Sequence, residues 1–120
     1  MSLPQNSYFL RWAQELMRAM DTVGRPMRLN SLLIKQRMRQ AGLEDPQEQV
    51  IKVPINGWPE DAHDREIGRW FNLGLTQGLE ALTLGPFTRV LGYSADDAKD
   101  LIGRVKEEIR SRKIHAYCTL

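Results

Sequence analysis

The chain has 120 residues, 42% hydrophobic and 27% charged, which is the composition of one folded domain, and its net charge of +2 gives no general attraction to nucleic acid. One cysteine and two histidines exclude an intramolecular disulfide and a cysteine- or histidine-rich metal site, and no apolar run approaches the ~20 residues of a membrane span. We therefore expect a cytoplasmic protein without nucleic-acid or membrane partners.

Two helices are predicted in the first third of the chain. Apolar residues recur at helical spacing over residues 6–23, after a capping Asn6 or Ser7, and Gly24 ends the pattern. A second helix fits residues 30–41, where Ile34, Met38 and Ala41 share one face. The period then changes to alternation over residues 49–55, which predicts a strand with Pro54 at a sheet edge.

The helix predicted over residues 65–84 is apolar on two sides. One side carries Ile67, Phe71, Leu75, Gly78, Leu79 and Leu82, and the other carries Trp70, Leu73, Gln77, Glu80 and Leu84. A helix that is apolar on both sides is covered on both sides. Because a short chain covers one face well, we expect the second face to meet another subunit or a ligand. Pro86 ends this helix, and one short apolar turn follows at residues 87–91.

The last third predicts a capped helix and a final strand. Ser94, followed by two acidic residues, begins the helix, and residues 114–120 alternate as a strand with His115, Tyr117 and Thr119 on one face. The order of elements predicts an α+β fold in one domain over residues 1–120, mostly helical, with two strands. A two-stranded sheet is marginal alone, so we expect the strands to pair across a homodimer.

Several stretches, in order and spacing, resemble a known family. They are similar to the C-terminal part of fungal class I S-adenosylmethionine (SAM) methyltransferases of the LaeA type, which regulate secondary metabolism. The resemblance rests on residues 24–26, 41–45, 57–59, 66–70, 78–81, 87–94 and 114–117. It implies a methyltransferase fold truncated to its substrate-side helices and last two strands. The chain has no Gly-x-Gly turn of the kind that brings backbone close to a cofactor, so we expect no cofactor, no SAM binding and no methyl transfer by this chain alone.

Two sets of residues are candidates for chemistry. Glu80 and Gln77 lie one helical turn apart on the second apolar face, where a carboxylate with a raised pKa would act as a base; an ion pair at an interface or an exposed position is the structural alternative. His115 and Tyr117 share a strand face and would supply a base and a carbonyl donor, or simply complete a half-buried sheet. The substrate-binding residues would be Trp58, Trp70, Phe71 and Gln77, although aromatic side chains more often pack in a core.

The leading hypothesis is a non-methylating enzyme of fungal secondary metabolism. It would bind a polyketide-like small molecule in a dimer-enclosed chamber and catalyse a cofactor-independent condensation or cyclisation of the aldol, Knoevenagel or pericyclic type. Glu80, His115 and Tyr117 would be its catalytic residues, and no metal is predicted. The alternative is a non-catalytic interaction module that docks a full-length methyltransferase or regulator.

Overall fold

The structure is a computed structural model that describes residues 3–119. It contains four α-helices, one π-helical turn and two short strands. These are α1 (Tyr8–Thr22), α2 (Ser31–Gln40), β1 (Lys52–Pro54), α3 (Ala62–Gly85), the π-turn (Pro86–Val90), α4 (Ala95–Arg110) and β2 (Tyr117–Thr119). This confirms an α+β architecture that is mostly helical. No helix among the described residues is both long enough and apolar enough to cross a membrane.

Each helix begins after a side chain that accepts a hydrogen bond from the backbone N–H three residues later. The caps are Ser7, Asn30, Asp61 and Ser94. The helix predicted from residue 65 therefore begins earlier, at Ala62, because Asp61 caps it. The start of α1 has a second acceptor in Glu108 of α4, which receives hydrogen bonds from the Ser7 hydroxyl and from the Tyr8 N–H.

The two strands form one antiparallel sheet within the chain. Lys52 pairs with Thr119, Val53 with Cys118, and Pro54 with Tyr117. The two strands pair with each other within one protomer, and the pairing across a homodimer stays a prediction that would use the outer edges of this sheet. Both strands are also shorter than the predicted alternation, since only three residues of each pair.

The core lies where α1, α3, α4 and the π-turn meet. Its buried apolar side chains are Phe9, Trp12, Leu16, Ile55, Leu79, Phe87, Ala98, Leu101, Ile102, Val105, Ile109 and Ala116. One hydrogen bond crosses it: the Trp12 indole N–H donates to the Thr83 hydroxyl at 2.8 Å, and both residues are buried. The indole therefore contributes apolar contact while its polar N–H remains satisfied.

Residues 23–51, which include α2 and are called the arm below, project from this core. No side chain of α2 is buried, so the face predicted for packing, with Ile34 and Met38, is exposed. The radius of gyration is 16.6 Å, whereas a compact chain of this length has one of about 14 Å. The apolar face of α2 is thus available to a partner.

Candidate functional site

Trp58, His115 and Tyr117 form an aromatic cluster beside the sheet. The Trp58 ring stacks on His115 with centroids 4.5 Å apart and meets the edge of Tyr117 at 5.1 Å. The Trp58 indole N–H donates to the backbone carbonyl of Ala116 at 3.2 Å. The structure therefore brings together three of the predicted site residues, with His115 exposed and the other two half-buried.

The loop that carries Trp58 is held by two asparagines. The Asn56 amide donates to the carbonyls of Ile109, Ser111 and Ile114 at 3.1–3.3 Å. The Asn72 amide of α3 donates to the carbonyls of Ile55 and Ile109 at 3.1 and 2.9 Å. These bonds tie β1, the end of α4 and the chain leading into β2 to one another. Sequence reasoning missed both asparagines; a polar amide on the buried side of an apolar helix was the available signal for Asn72.

Gly68 lets α3 pack directly on this loop. A Cβ at this position would lie 2.0 Å from the carbonyl oxygen of Asn56 and 2.7 Å from its carbonyl carbon. No side chain larger than hydrogen fits there unless the backbone moves. The close approach fixes the N-terminal half of α3 against the loop that carries Trp58.

Glu80 lies in the exposed position that the sequence left open as the structural alternative. Both Glu80 and Gln77 are exposed. Glu80 also lies eight residues beyond Asn72, or about 12 Å along the helix axis, whereas Asn72 is the residue that contacts the loop end of β1. The proposed base is thus remote from His115 and Tyr117. Among residues 3–119, no three His, Cys, Asp or Glu side chains are placed to hold a metal ion.

The outer face of α3 carries an exposed apolar surface formed by Ile67, Trp70 and Leu73, called the Trp70 surface below. Trp70 is 67% exposed and separates two shallow grooves. One groove is lined by Ala62, Arg65, Glu66, Arg69, Trp70 and Leu73, and the other by Val53, His63, Glu66, Ile67, Trp70 and Phe71. The predicted assignment of residues to the two sides of α3 is partly wrong, because Leu82 is exposed while Leu84 packs against the core.

Cys118 is the free thiol of β2 and is half-buried. Burial raises the pKa of this thiol above its ordinary value, because the thiolate would lose hydration. A raised pKa makes the thiolate scarce at neutral pH, which argues against a nucleophilic role.

The sequence is similar over nearly its whole length to curated fungal proteins. It is 45% identical over 118 residues to a protein-methionine methyltransferase, laeA, of Chaetomium globosum, covering 98% of this chain and 37% of that protein. It is 43% identical over 117 residues to the secondary metabolism regulator LAE1 of Cochliobolus heterostrophus, covering 97% of this chain and 38% of the relative. The chain is homologous to a segment of the LaeA/LAE1 regulators.

A more distant relative shows the same relationship. The secondary metabolism regulator laeA of Aspergillus fumigatus is 34% identical over 107 residues, covering 89% of this chain and 29% of that protein. The chain thus spans less than two fifths of the length of these relatives. No protein-family profile matches the chain, and no solved structure matches it.

The hypothesis of a cofactor-independent condensing or cyclising enzyme is wrong. The relatives are named as a methyltransferase and as regulators of secondary metabolism, and none of these names describes a cyclase. The structure gives a physical reason for the correction, because Glu80 is exposed and remote from the aromatic cluster that contains His115. The resemblance to the LaeA group, by contrast, is confirmed.

Proposed function

We propose that the chain is an interaction module of fungal secondary-metabolism regulation that docks a LaeA-type methyltransferase or regulator through the Trp70 surface. The observation that carries the proposal is the exposure of Trp70, 67%, on the outer side of a helix whose inner side packs in the core. Large apolar patches on a folded domain are typical of interaction sites.

A LaeA-type protein is the expected occupant because of what the relatives contain. They include a segment homologous to this chain joined to a longer remainder. In such a protein the remainder is a natural cover for the side of α3 that is exposed in this chain. The sheet supports this idea, because among residues 3–119 each strand pairs only with the other and its second edge is unpaired.

Trp70 is suited to be the anchor of such an interface. Burying the exposed two thirds of a tryptophan side chain removes ~170 Å² from water, which is worth up to about 4 kcal/mol. Arg65 and Arg69 line the groove beside it. Tryptophan and arginine are the side chains most enriched among residues that dominate binding energy.

The test is isothermal titration of the chain with the full-length laeA protein of Chaetomium globosum. We expect saturable binding that Trp70→Ala weakens by about thirtyfold or more. Leu82→Ala is the matched control, since Leu82 is an exposed apolar residue of the same helix outside both grooves. Thermal melts by circular dichroism would show that both variants remain folded.

Two results would contradict the proposal. One is the absence of binding, or equal binding by the Trp70→Ala and Leu82→Ala variants. The other is a homodimer in sedimentation experiments that Trp70→Ala dissociates, because the surface would then be occupied by a second copy. That second result would instead support the homodimer expected from the sequence.

A further inference from the structure

The arm and the body of the protein enclose an open apolar groove that is separate from the Trp70 surface. Its apolar lining comes from Met17 of α1, Met27, Leu29, Ile34 and Met38 in and before α2, and Val50. Three of these six are methionines, whose flexible and polarizable side chains adapt to different apolar partners. The groove therefore presents these adaptable apolar residues, called the apolar floor below, at the protein surface.

The chain itself leaves this floor uncovered. Met27, Ile34, Met38 and Val50 are all exposed, although apolar. The groove is nevertheless held in shape at one side, where Glu48 accepts a hydrogen bond from the Ser31 hydroxyl at 2.9 Å and pairs with Lys35 at 3.0 Å. These contacts join α2 to the returning segment of the arm, so the groove exists before a partner binds.

The arm is also basic. Residues 23–43 contain no acidic residue and five basic ones, which are Arg25, Arg28, Lys35, Arg37 and Arg39. Lys35 pairs with Glu48, and Arg28 is 3.7 Å from Asp21. Within the described chain, Arg25, Arg37 and Arg39 have no carboxylate within 4 Å. Arg37 and Arg39 adjoin Met38 along α2, about 100° to either side of it around the helix. The charged side chains that line the groove itself are Arg28, Lys35 and Glu48.

We propose that this groove binds an acidic amphipathic helix of a partner protein. An apolar groove with charged rims is the arrangement that recognises the apolar face of such a helix, with complementary charge on its flanks. A second copy of this chain fits poorly, because a two-fold contact would place one basic arm against the other. Nucleic acid also fits poorly, because its charged phosphates would lie against the apolar floor. A bilayer fits poorly because its flat surface does not enter a concave groove.

The test uses two fluorescent synthetic peptides that share one apolar helical face and differ elsewhere, one carrying glutamates and the other lysines. Fluorescence anisotropy with the whole chain should show binding of the acidic peptide and none of the basic one. Raising NaCl from ~50 to ~500 mM, which shortens the Debye length from ~14 to ~4 Å, should weaken binding several-fold.

Two variants of α2 give a charge-matched comparison. Ile34→Asp places a carboxylate in the groove, and we expect it to weaken binding by about thirtyfold. Leu32→Asp adds the same charge at a residue that is 80% exposed and outside the groove lining, so binding should change by less than about threefold. Neither variant should alter the thermal melt, since α2 contributes no buried side chain.

Reversing the charges of Arg37 and Arg39 tests whether basic residues beside the groove select an acidic partner. The double variant Arg37→Glu with Arg39→Glu should prefer the basic peptide. The proposal is overturned if the acidic peptide does not bind, if both peptides bind wild type equally, or if Ile34→Asp and Leu32→Asp bind alike. It is equally overturned if Ile34→Asp abolishes binding to duplex DNA, to phosphatidylcholine–phosphatidylserine vesicles or to a second copy. None of these results changes the outcome expected for the Trp70 surface, because that test depends on different residues.

Discussion

Replacing Gly68 by alanine should destabilise the fold, whereas the same change at Gly74 of the same helix should stabilise it. The added Cβ at Gly68 would stand 2.0 Å from the carbonyl oxygen of Asn56, which is backbone and cannot rotate away. At Gly74 no atom outside the helix backbone lies within 4 Å of the added Cβ. The two substitutions therefore change helix propensity equally and differ in packing.

The expected magnitude follows from this geometry. Relief of the clash requires α3 to move from the loop by about 1.5 Å, since carbon atoms make favourable contacts near 3.5 Å. Overpacking of this kind costs about 1–3 kcal/mol or more, and stretching the hydrogen bonds of Asn56 and Asn72 adds about 1 kcal/mol. The gain from replacing a helical glycine offsets about 1 kcal/mol. The net loss in the free energy of unfolding is about 1–3 kcal/mol for Gly68→Ala, against a gain of up to about 1 kcal/mol for Gly74→Ala.

Urea unfolding followed by circular dichroism measures both effects. For a slope of about 2 kcal/mol per molar urea, the midpoint should fall by about 0.5–1.5 M in Gly68→Ala and rise by up to about 0.5 M in Gly74→Ala. Equal slopes in the three proteins would show that the shifts in midpoint are changes in stability. If the Gly68→Ala midpoint equals or exceeds that of wild type, α3 does not approach the Asn56 carbonyl as described.

Three other consequences can be measured directly. Thr83→Val leaves the buried Trp12 indole N–H without its acceptor and should cost about 1–3 kcal/mol in urea unfolding; a loss below about 0.5 kcal/mol would contradict the hydrogen bond. Burial raises the pKa of Cys118, so iodoacetamide should modify it more slowly at mildly alkaline pH in the folded chain than in urea, and equal rates would refute its burial. Lys35, bonded to the Glu48 carboxylate, lowers the pKa of that carboxyl. The contribution of this pair to the arm is therefore present above the unfolded-state pKa and is lost as the pH falls through the lower folded-state pKa, and Lys35→Gln should raise the Glu48 pKa in an NMR titration.

The helices were predictable because their signals are local. Ser94 and the two acidic residues after it marked the start of α4, and glycines marked the ends of the first two helices, since capping and left-handed backbone act within a few residues. Alternation predicted His115 and Tyr117 on one strand face; in the structure both rings contact Trp58, but only Tyr117 lies in β2. The link to the LaeA group likewise came from short ordered stretches of sequence.

The location of the candidate site was harder to predict from the sequence, because it depends on contacts between distant segments. Nothing near Glu80 in sequence indicates whether its side of α3 is covered, and the structure leaves it exposed. Nor does local sequence reveal that Gly68 meets Asn56, or that the Asn56 amide reaches carbonyls more than fifty residues away. Such residues are identified only when the elements are docked.

The amino-acid sequence by itself determined the order of the helices and strands and which residues along each are apolar, because these properties follow from dihedral preference, capping and periodicity. The bounds of α3 and of both strands came from the structure. The tertiary structure decided which apolar faces find cover: α4 buries its face in the core, whereas α2 and the outer side of α3 do not. Exposing an apolar helix face to water is unfavourable, but burying it requires a second surface of matching shape. That surface is set by the packing of the whole chain.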